Sequence, residues 1–266
     1  MARNNLPGFR LSLGLTMVWL GVLVLLPLAA LVLKAASATP AQIWAVAASP
    51  RVLAALRLSL LASLAAAGVN LGFGTLLAWV LVRYRPTGAG LVDALVDLPF
   101  ALPTAVAGIA LTKVYMADGW LGRFLPFKVA FTPVGVFVAL VFIGLPFVVR
   151  TVQPVLHDLE PAEEEAAACL GASRTMTLFR VVLPHLRPAL YTGFALALAR
   201  GMGEYGSVIF ISANLPFRTE IPPLLIVSRL EQYDYLGATV IACILLVISF
   251  GLLFALQALQ KGVRHG

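Results

Sequence analysis

Residues 58–82 read LSLLASLAAAGVNLGFGTLLAWVLV, and this stretch contains no charged side chain. A helix of about 20 apolar residues crosses the hydrocarbon core of a bilayer, so the stretch is long enough to span a membrane. Uncharged runs of similar length recur at residues 11–33, 129–149 and 235–260. These four runs predict four membrane-spanning helices.

Two further segments are apolar but carry a few charged residues. One runs from about Leu91 to Tyr115, with two aspartates in its opening turns and Lys113 near its end, where side chains can reach the membrane interface. The other runs from about Pro188 to Ile211. The sequence therefore predicts an all-α integral membrane protein with about six transmembrane helices, and an even number places both termini on the same side.

The composition excludes an ordinary soluble domain. Hydrophobic residues make up 61% of the chain and charged residues 12%, whereas a soluble domain has about 25% charged residues. The net charge of +7 is typical of Lys and Arg gathered at helix ends, where they meet anionic lipid headgroups. We therefore expect membrane lipid, and no nucleic acid, as a partner.

The N-terminus has some features of a signal peptide. Arg3 and Arg10 precede the first apolar run, and Ala36-Ser37-Ala38 has the small-x-small form of a cleavage site. The uncharged run from Leu11 to Leu33 is longer than the about 7–15 residues of a signal sequence. We therefore predict that the run is retained as the first helix.

A polar segment at residues 150–187 interrupts the apolar pattern. Pro161 and the carboxylates after it suit the first turn of a short helix, because negative charge is stabilised at a helix N-terminus. Gly171 is a natural stop, and Ser173 is a plausible N-cap for a second helix that reaches Leu183 and ends at Pro184. On pattern alone, the segment is a cytoplasmic helical hairpin.

The spacing within this segment adds a motif. Glu165-Ala166-Ala167 is followed after three residues by Gly171 and after nine more by Val181-Val182-Leu183-Pro184. This pattern resembles the EAA signature of ABC importer permeases, with Val181 where that family usually has isoleucine. The resemblance implies a MetI-like bundle of the type I importers, with a cytoplasmic coupling helix and these ATPase-coupling residues: Glu165, Ala166, Ala167, Gly171, Ala172, Leu183 and Pro184.

The resemblance extends beyond the motif, and in detail the chain is similar to the CysT-type sulfate/thiosulfate permeases. It covers Leu6-Pro7-Gly8-Phe9 and residues 97–108, and it is most specific at residues 199–206, 211–217 and 231–235. Molybdate permeases share the Gly-Glu-aromatic-Gly element and part of the proline-rich stretch. The later segments therefore favour sulfate over molybdate or tungstate.

The resemblance also implies partners and a location. It implies a homologous second permease subunit (CysW-type), two ATPase subunits (CysA-type) and a periplasmic sulfate/thiosulfate-binding protein. ATP and Mg would be bound by the ATPase, so no cofactor is expected on this chain. The implied location is the bacterial inner membrane with both termini cytoplasmic. In this orientation ten Lys and Arg residues lie on the cytoplasmic face and eight on the other face. These numbers alone favour the orientation only slightly.

We expect three parts along the chain. Residues 1–52 hold the first transmembrane helix, residues 53–260 form the importer domain with the loop at 150–187, and residues 261–266 form a cytoplasmic tail.

Two charges four residues apart lie in the apolar run before Ile211. Arg200 and Glu204 would share one face of a helix, and an unpaired charge in a membrane costs at least about 2.5–3.5 kcal/mol, so the two should pair. One interpretation is an ion pair that only neutralises itself. The other is a gate or part of the translocation path, together with Tyr205, in which Arg200 meets an oxyanion and Glu204 competes for it.

Other function classes are weaker. An intramembrane enzyme would need a nucleophile or a metal with a base inside the membrane, and the sequence offers neither. His157, His185 and His265 lack the spacing of metal ligands. A secondary transporter would not need a coupling motif, and inverted repeats are not visible. A phosphate-type substrate is a less favoured cargo than the other oxyanions.

Overall fold

The computed structural model describes residues 8–264, with side chains described for residues 8–258, and that part of the chain contains helices and no strand. We number the helices in chain order: α1 (Phe9–Ala36), α2 (Pro40–Ala47), α3 (Pro50–Tyr84), α4 (Ala89–Val96), α5 (Leu98–Ala101), α6 (Thr104–Tyr115), α7 (Pro133–Asp158), α8 (Pro161–Cys169), α9 (Arg174–Met202), α10 (Gly206–Ser212), α11 (Pro222–Glu231) and α12 (Tyr235–Arg264).

Five of these helices are long and apolar enough to cross a membrane, namely α1, α3, α7, α9 and α12. The predicted all-α fold is confirmed. The prediction of one continuous helix from Leu91 to Tyr115 is wrong, because α4, α5 and α6 divide that segment. Leu102 is extended (φ −86°, ψ 136°), as a residue before proline prefers, so Pro103 ends one helix and the next begins at Thr104.

The core lies where α3, α7 and α9 pack against one another. Small residues permit this close approach, as they do in many membrane bundles. A Cβ on Gly193 of α9 would lie 3.0 Å from the Cα of Val148 on α7. A Cβ on Gly144 of α7 would lie 2.4 Å from the Asn70 amide nitrogen on α3.

Helix α1 is peripheral. It has no buried residue, and it packs lightly against α12, where the Cys243 thiol lies 3.9 Å from the carbonyl oxygen of Leu31. A helix this apolar and this exposed requires lipid or another protein around it.

The two helices predicted in the polar segment form only partly as expected. Helix α8 spans Pro161–Cys169, Gly171 has φ +82°, and the Ser173 hydroxyl accepts a hydrogen bond from the Met176 amide. The second helix does not end at Pro184. It continues through the membrane to Met202, because a π-helical turn at Leu178–Val182 precedes Pro184 and accommodates its missing N–H.

The opposite end of the bundle is joined by a buried ion pair. The Arg51 guanidinium at the start of α3 donates two hydrogen bonds of 2.7 Å to Glu220, whose side chain is only 1% exposed. The loop before Glu220 is ordered by Thr219, which donates to the Ser212 carbonyl and accepts from the Leu215 amide. Arg51 and Arg83 lie near opposite ends of α3, which is about 50 Å long at 1.5 Å per residue.

Replacement of Gly193 by valine should destabilise the bundle by about 1–3 kcal/mol, since the added carbons would meet the α7 backbone. The measurement is thermal unfolding of the purified protein in detergent. Gly68→Val on α3 is the matched control, because a Cβ at Gly68 has no atom within 4 Å. Equal melting temperatures for the two variants would contradict this packing.

Candidate functional site

Five of the seven coupling-motif residues, Glu165 to Ala172, lie on α8 and on the turn after it. Glu165 and Ala166 are exposed and Ala167 is half-buried. The Gly171 amide donates to the Ala168 carbonyl, and the Ala172 amide donates to the Ala167 carbonyl. This pair of bonds is a Schellman motif, which requires a residue with positive φ at position 171.

The structure brings only part of the predicted motif together. Leu183 and Pro184 lie on α9, within a membrane-spanning helix. Leu183 reaches the motif across a groove of about 700 Å³ that α3, α8 and α9 enclose, and Ala168 and Ala172 line the same groove. Pro184 does not line the groove and lies just after the π-helical turn of α9.

Exposed apolar side chains follow α8 in the chain. Leu170 is 90% exposed and Phe179 is 62% exposed, and Met176 lies between them in sequence with 44% exposure. Apolar side chains grouped on a polar segment are typical of a protein contact surface. Neither the motif nor hydropathy alone identified these residues, although each can be found as an apolar residue inside the polar segment.

Arg200 and Glu204 form the predicted pair, with 2.5 Å between Arg200 Nη1 and Glu204 Oε2. The prediction of a continuous helix from Pro188 to Ile211 is wrong, because α9 ends at Met202 and α10 begins at Gly206. Glu204 therefore lies in a break between two helices. Its Oε1 accepts hydrogen bonds from the Ser207 amide (2.8 Å) and hydroxyl (2.9 Å).

The carboxylate at this break is deeply buried. Only 1% of the Glu204 side chain is exposed, compared with 33% of the Arg200 side chain. The carboxylate satisfies one free N–H group at the start of α10, that of Ser207, where negative charge is also favoured. Tyr205, the residue before α10, is 37% exposed. Glu204 thus stabilises the break, and Arg200 and Tyr205 beside it are each partly exposed.

The break packs against the start of α6. A Cβ on Gly206 would lie 2.1 Å from the Thr104 hydroxyl oxygen, and a Cβ on Gly108 would lie 2.5 Å from the Ser207 carbonyl oxygen. Two interrupted helices therefore meet, one broken before Thr104 and one broken before Gly206. Irregular backbone at membrane depth is tolerated where protein covers it or where it lines a cavity.

A charge network on the coupling-motif side was not predicted. The Arg150 guanidinium donates to both carboxylate oxygens of Asp97 (2.8 and 2.6 Å), to the Asp93 carboxylate (2.8 Å) and to Gln153 (2.6 Å). The network fixes α4 and α5 onto α7. The sequence indicated only that the two aspartates could reach the interface, since their partner lies more than fifty positions away.

The described residues contain no group of His, Cys, Asp and Glu side chains that could hold a metal ion. His157 is exposed, and His185 lies 3.5 Å from Glu163. His265 lies outside the described residues.

Comparison with known proteins gives a consistent result. A family model for "binding-protein-dependent transport system inner membrane component" matches residues 70–265. The sulfate transport system permease protein CysT of Salmonella typhimurium is 48% identical over 263 residues, which cover 98% of this chain and 95% of the relative. The CysT protein of Synechococcus elongatus is 52% identical over 249 residues, covering 92% and 90%.

Solved structures share the fold. In the crystal structure of a bacterial alginate ABC transporter in complex with alginate pentasaccharide-bound periplasmic protein, one chain matches with a TM-score of 0.75 and 18% identity, covering 96% of this chain and 94% of that chain. A chain of an amino acid ABC transporter crystallised with histidines matches with a TM-score of 0.55 and 16% identity, covering 80% and 94%. The importer-type bundle predicted from the sequence is thus confirmed.

Neutralising one member of the Arg200 and Glu204 pair should be worse than neutralising both. Glu204→Gln keeps an acceptor for Ser207 but leaves Arg200 unpaired, and Arg200→Gln leaves a buried carboxylate alone. We expect each single variant to lose at least about 1 kcal/mol more than the double variant. The measurement is thermal unfolding in detergent. Additive effects of the two substitutions would show that the charges are not coupled.

Proposed function

The chain belongs to the family of binding-protein-dependent transport system inner membrane components, and on this premise we propose that it is the permease subunit of an ATP-driven sulfate and thiosulfate importer. It is a membrane transporter subunit and not an enzyme. The observation that carries the proposal is the 48% identity to a sulfate permease over nearly the whole length of both chains. Identity at this level across the full chain supports sulfate over molybdate or tungstate.

We assign docking of an ATPase to α8 and its surroundings. The exposed Glu165 and Ala166, together with Leu170 and Phe179, form a surface with both polar and apolar contacts to offer. A short helix with small side chains can lie in a groove on a partner. The proposed partners are two CysA-type ATPase subunits, a CysW-type second permease and a periplasmic binding protein.

We place α8 and both termini in the cytoplasm of a bacterium, with the protein in the inner membrane. Arg83 at one end of α3 contacts α8, and Arg51 at the other end contacts the loop that holds Glu220. Because α3 is long enough to cross the membrane, α8 and this loop lie on opposite sides of it. The ATPase acts in the cytoplasm, which supports assigning the Arg83 side to the cytoplasm and the Glu220 side to the periplasm.

We assign Arg200, Glu204 and Tyr205 to the translocation path. A guanidinium donates paired, charge-assisted hydrogen bonds to oxyanions, and part of Arg200 is exposed for such contact. Glu204 pairs with the Arg200 guanidinium. An arriving divalent anion would compete with Glu204 for the same donors, so passage of the anion and opening of the pair would be linked.

The function is tested in proteoliposomes that contain this chain with its second permease, its ATPase and its binding protein. We expect ATP-dependent uptake of radiolabelled sulfate that excess thiosulfate inhibits and molybdate does not. Uptake of molybdate in preference to sulfate would overturn the assignment of sulfate as the substrate.

In the same assay the Arg200→Gln/Glu204→Gln double variant should import little sulfate per assembled complex. Normal import by this variant would show that the pair has only a structural role.

The turn at Gly171 should be required for coupling. At φ +82° a β-branched side chain is strained by about 1 kcal/mol or more, so Gly171→Val should disturb the Schellman turn and misplace α8. Gly171→Asn is the matched control, because asparagine tolerates this backbone conformation and adds similar bulk. We expect normal membrane levels for both variants, and reduced ATPase co-purification and sulfate uptake chiefly for the valine variant.

Normal co-purification and uptake in Gly171→Val would show that the turn is not needed. Equal loss in both variants would show instead that bulk at this position obstructs the partner.

A further inference from the structure

Helix α8 has very little packing to fix its position. It has no buried residue, and only Glu164 and Ala167 are half-buried. Its backbone neighbours are the first turns of α9, to which it is already joined by the chain. The apolar core of the bundle therefore does not hold α8, and its orientation depends on polar side-chain contacts.

Two polar side-chain contacts, one of them an ion pair, hold α8 within the described residues. Arg83 Nη2 lies 2.5 Å from Glu164 Oε1, with 21% and 31% of the two side chains exposed. The imidazole of His185 lies 3.5 Å from Glu163, and both side chains are about half exposed. The contact between Arg83 and Glu164 is shorter and better shielded from water than the one between His185 and Glu163, so it stabilises the position of α8 more.

The Arg83 side chain is held in place at the end of α3. It lies in a π-helical turn, Val80–Tyr84, that closes this helix, and its guanidinium carbon lies 5.7 Å from the centre of the Trp79 ring. A cation over an aromatic face is stabilised by the ring electrons. Arg83 is thus positioned by its own helix and does not depend on Glu164 for its direction.

The rest of α3 connects this contact to the far side of the protein. The helix runs without a break from Pro50 to Tyr84 and packs along α7 and α9. Its other end is bonded to Glu220 through Arg51. Ion pairs therefore join one end of this long helix to α8 and the other end to the segment before α11.

We propose that the Arg83 and Glu164 pair is the link through which movement of α8 is passed to α3, in addition to its covalent connection to α9. Glu164 is thereby a positioning residue for coupling, distinct from Glu165 of the coupling motif, which is exposed. The proposal rests on the proposed function of α8 as the ATPase contact. The link makes α3 and α9 respond together when α8 is displaced.

The first test measures sulfate imported per ATP hydrolysed in proteoliposomes that hold the complete transporter. Arg83→Gln and Glu164→Gln should retain the ATPase and hydrolyse ATP, while import per ATP falls by about fivefold or more. The reversed pair, Arg83→Glu with Glu164→Arg, and the conservative Arg83→Lys should restore it. Glu160→Gln is the matched control, because Glu160 is an exposed carboxylate just before α8 that makes no side-chain cap.

Unchanged import per ATP in both single variants, or no restoration by the reversed pair, would overturn the link. These results differ from failure of the proposed function, in which the unsubstituted chain would neither retain the ATPase nor import sulfate.

A second measurement does not depend on transport. A spin label on the exposed Cys169 at the end of α8 and another at Tyr84→Cys, with Cys243→Ser, report the distance between α8 and α3 in the assembled complex. A narrow distance distribution is expected with and without ATP. Glu164→Gln should broaden it, and Glu160→Gln should not. A distribution that stays narrow in Glu164→Gln would overturn the proposal.

Discussion

The hydrocarbon core of a membrane offers no hydrogen-bond partners, so each backbone amide and carbonyl within it must be satisfied inside the protein. Five long apolar helices satisfy this constraint within themselves. The remaining apolar segment is interrupted at Pro103, and the chain has a second break between the end of α9 and Gly206. The two interruptions lie against each other, and the Glu204 carboxylate satisfies the amide of Ser207. The irregular backbone is thus concentrated in one place, beside the charged residues that we assign to the translocation path.

The same constraint governs where charged side chains lie. The bundle places its ion pairs near the ends of its helices, as with Arg51 and Glu220, or in the break, as with Arg200 and Glu204. Near an end, water and lipid headgroups reduce the cost of burying charge, and a pair there can fix one helix to another without disturbing the apolar packing. Arg150 shows this most fully, since its guanidinium binds two carboxylates and an amide and fixes α4 and α5 onto α7. The chain thereby separates two tasks, with small residues setting how close helices come and charged residues setting which helix ends are joined.

Helix α8 is the exception to tight packing, as the ATPase contact that we propose for it requires. A surface that fits a separate protein cannot be buried in its own, and α8 has no buried residue while Leu170 after it is almost fully exposed. A helix without a buried face has to be oriented by other means. The Schellman turn at Gly171 sets its direction relative to α9, and the contact from Glu164 to Arg83 sets it relative to α3. Substrate class is a separate matter, because the same coupling surface would serve any oxyanion.

The sequence by itself determined the membrane fold, the existence of α8, the cap at Ser173 and the positive φ at Gly171, because each rests on local composition or on the conformational limits of a single residue. Local rules also predicted the pairing of Arg200 with Glu204, which are only four residues apart. The division of the segment at residues 91–115 and the continuation of α9 past Pro184 were decided by tertiary structure, since a proline can either end a helix or be absorbed by a π-helical turn. The contacts of Arg83 with Glu164 and of Arg51 with Glu220 were also decided there. Their partners are 81 and 169 residues apart, and only packing of the helices brings such distant charges within reach of each other.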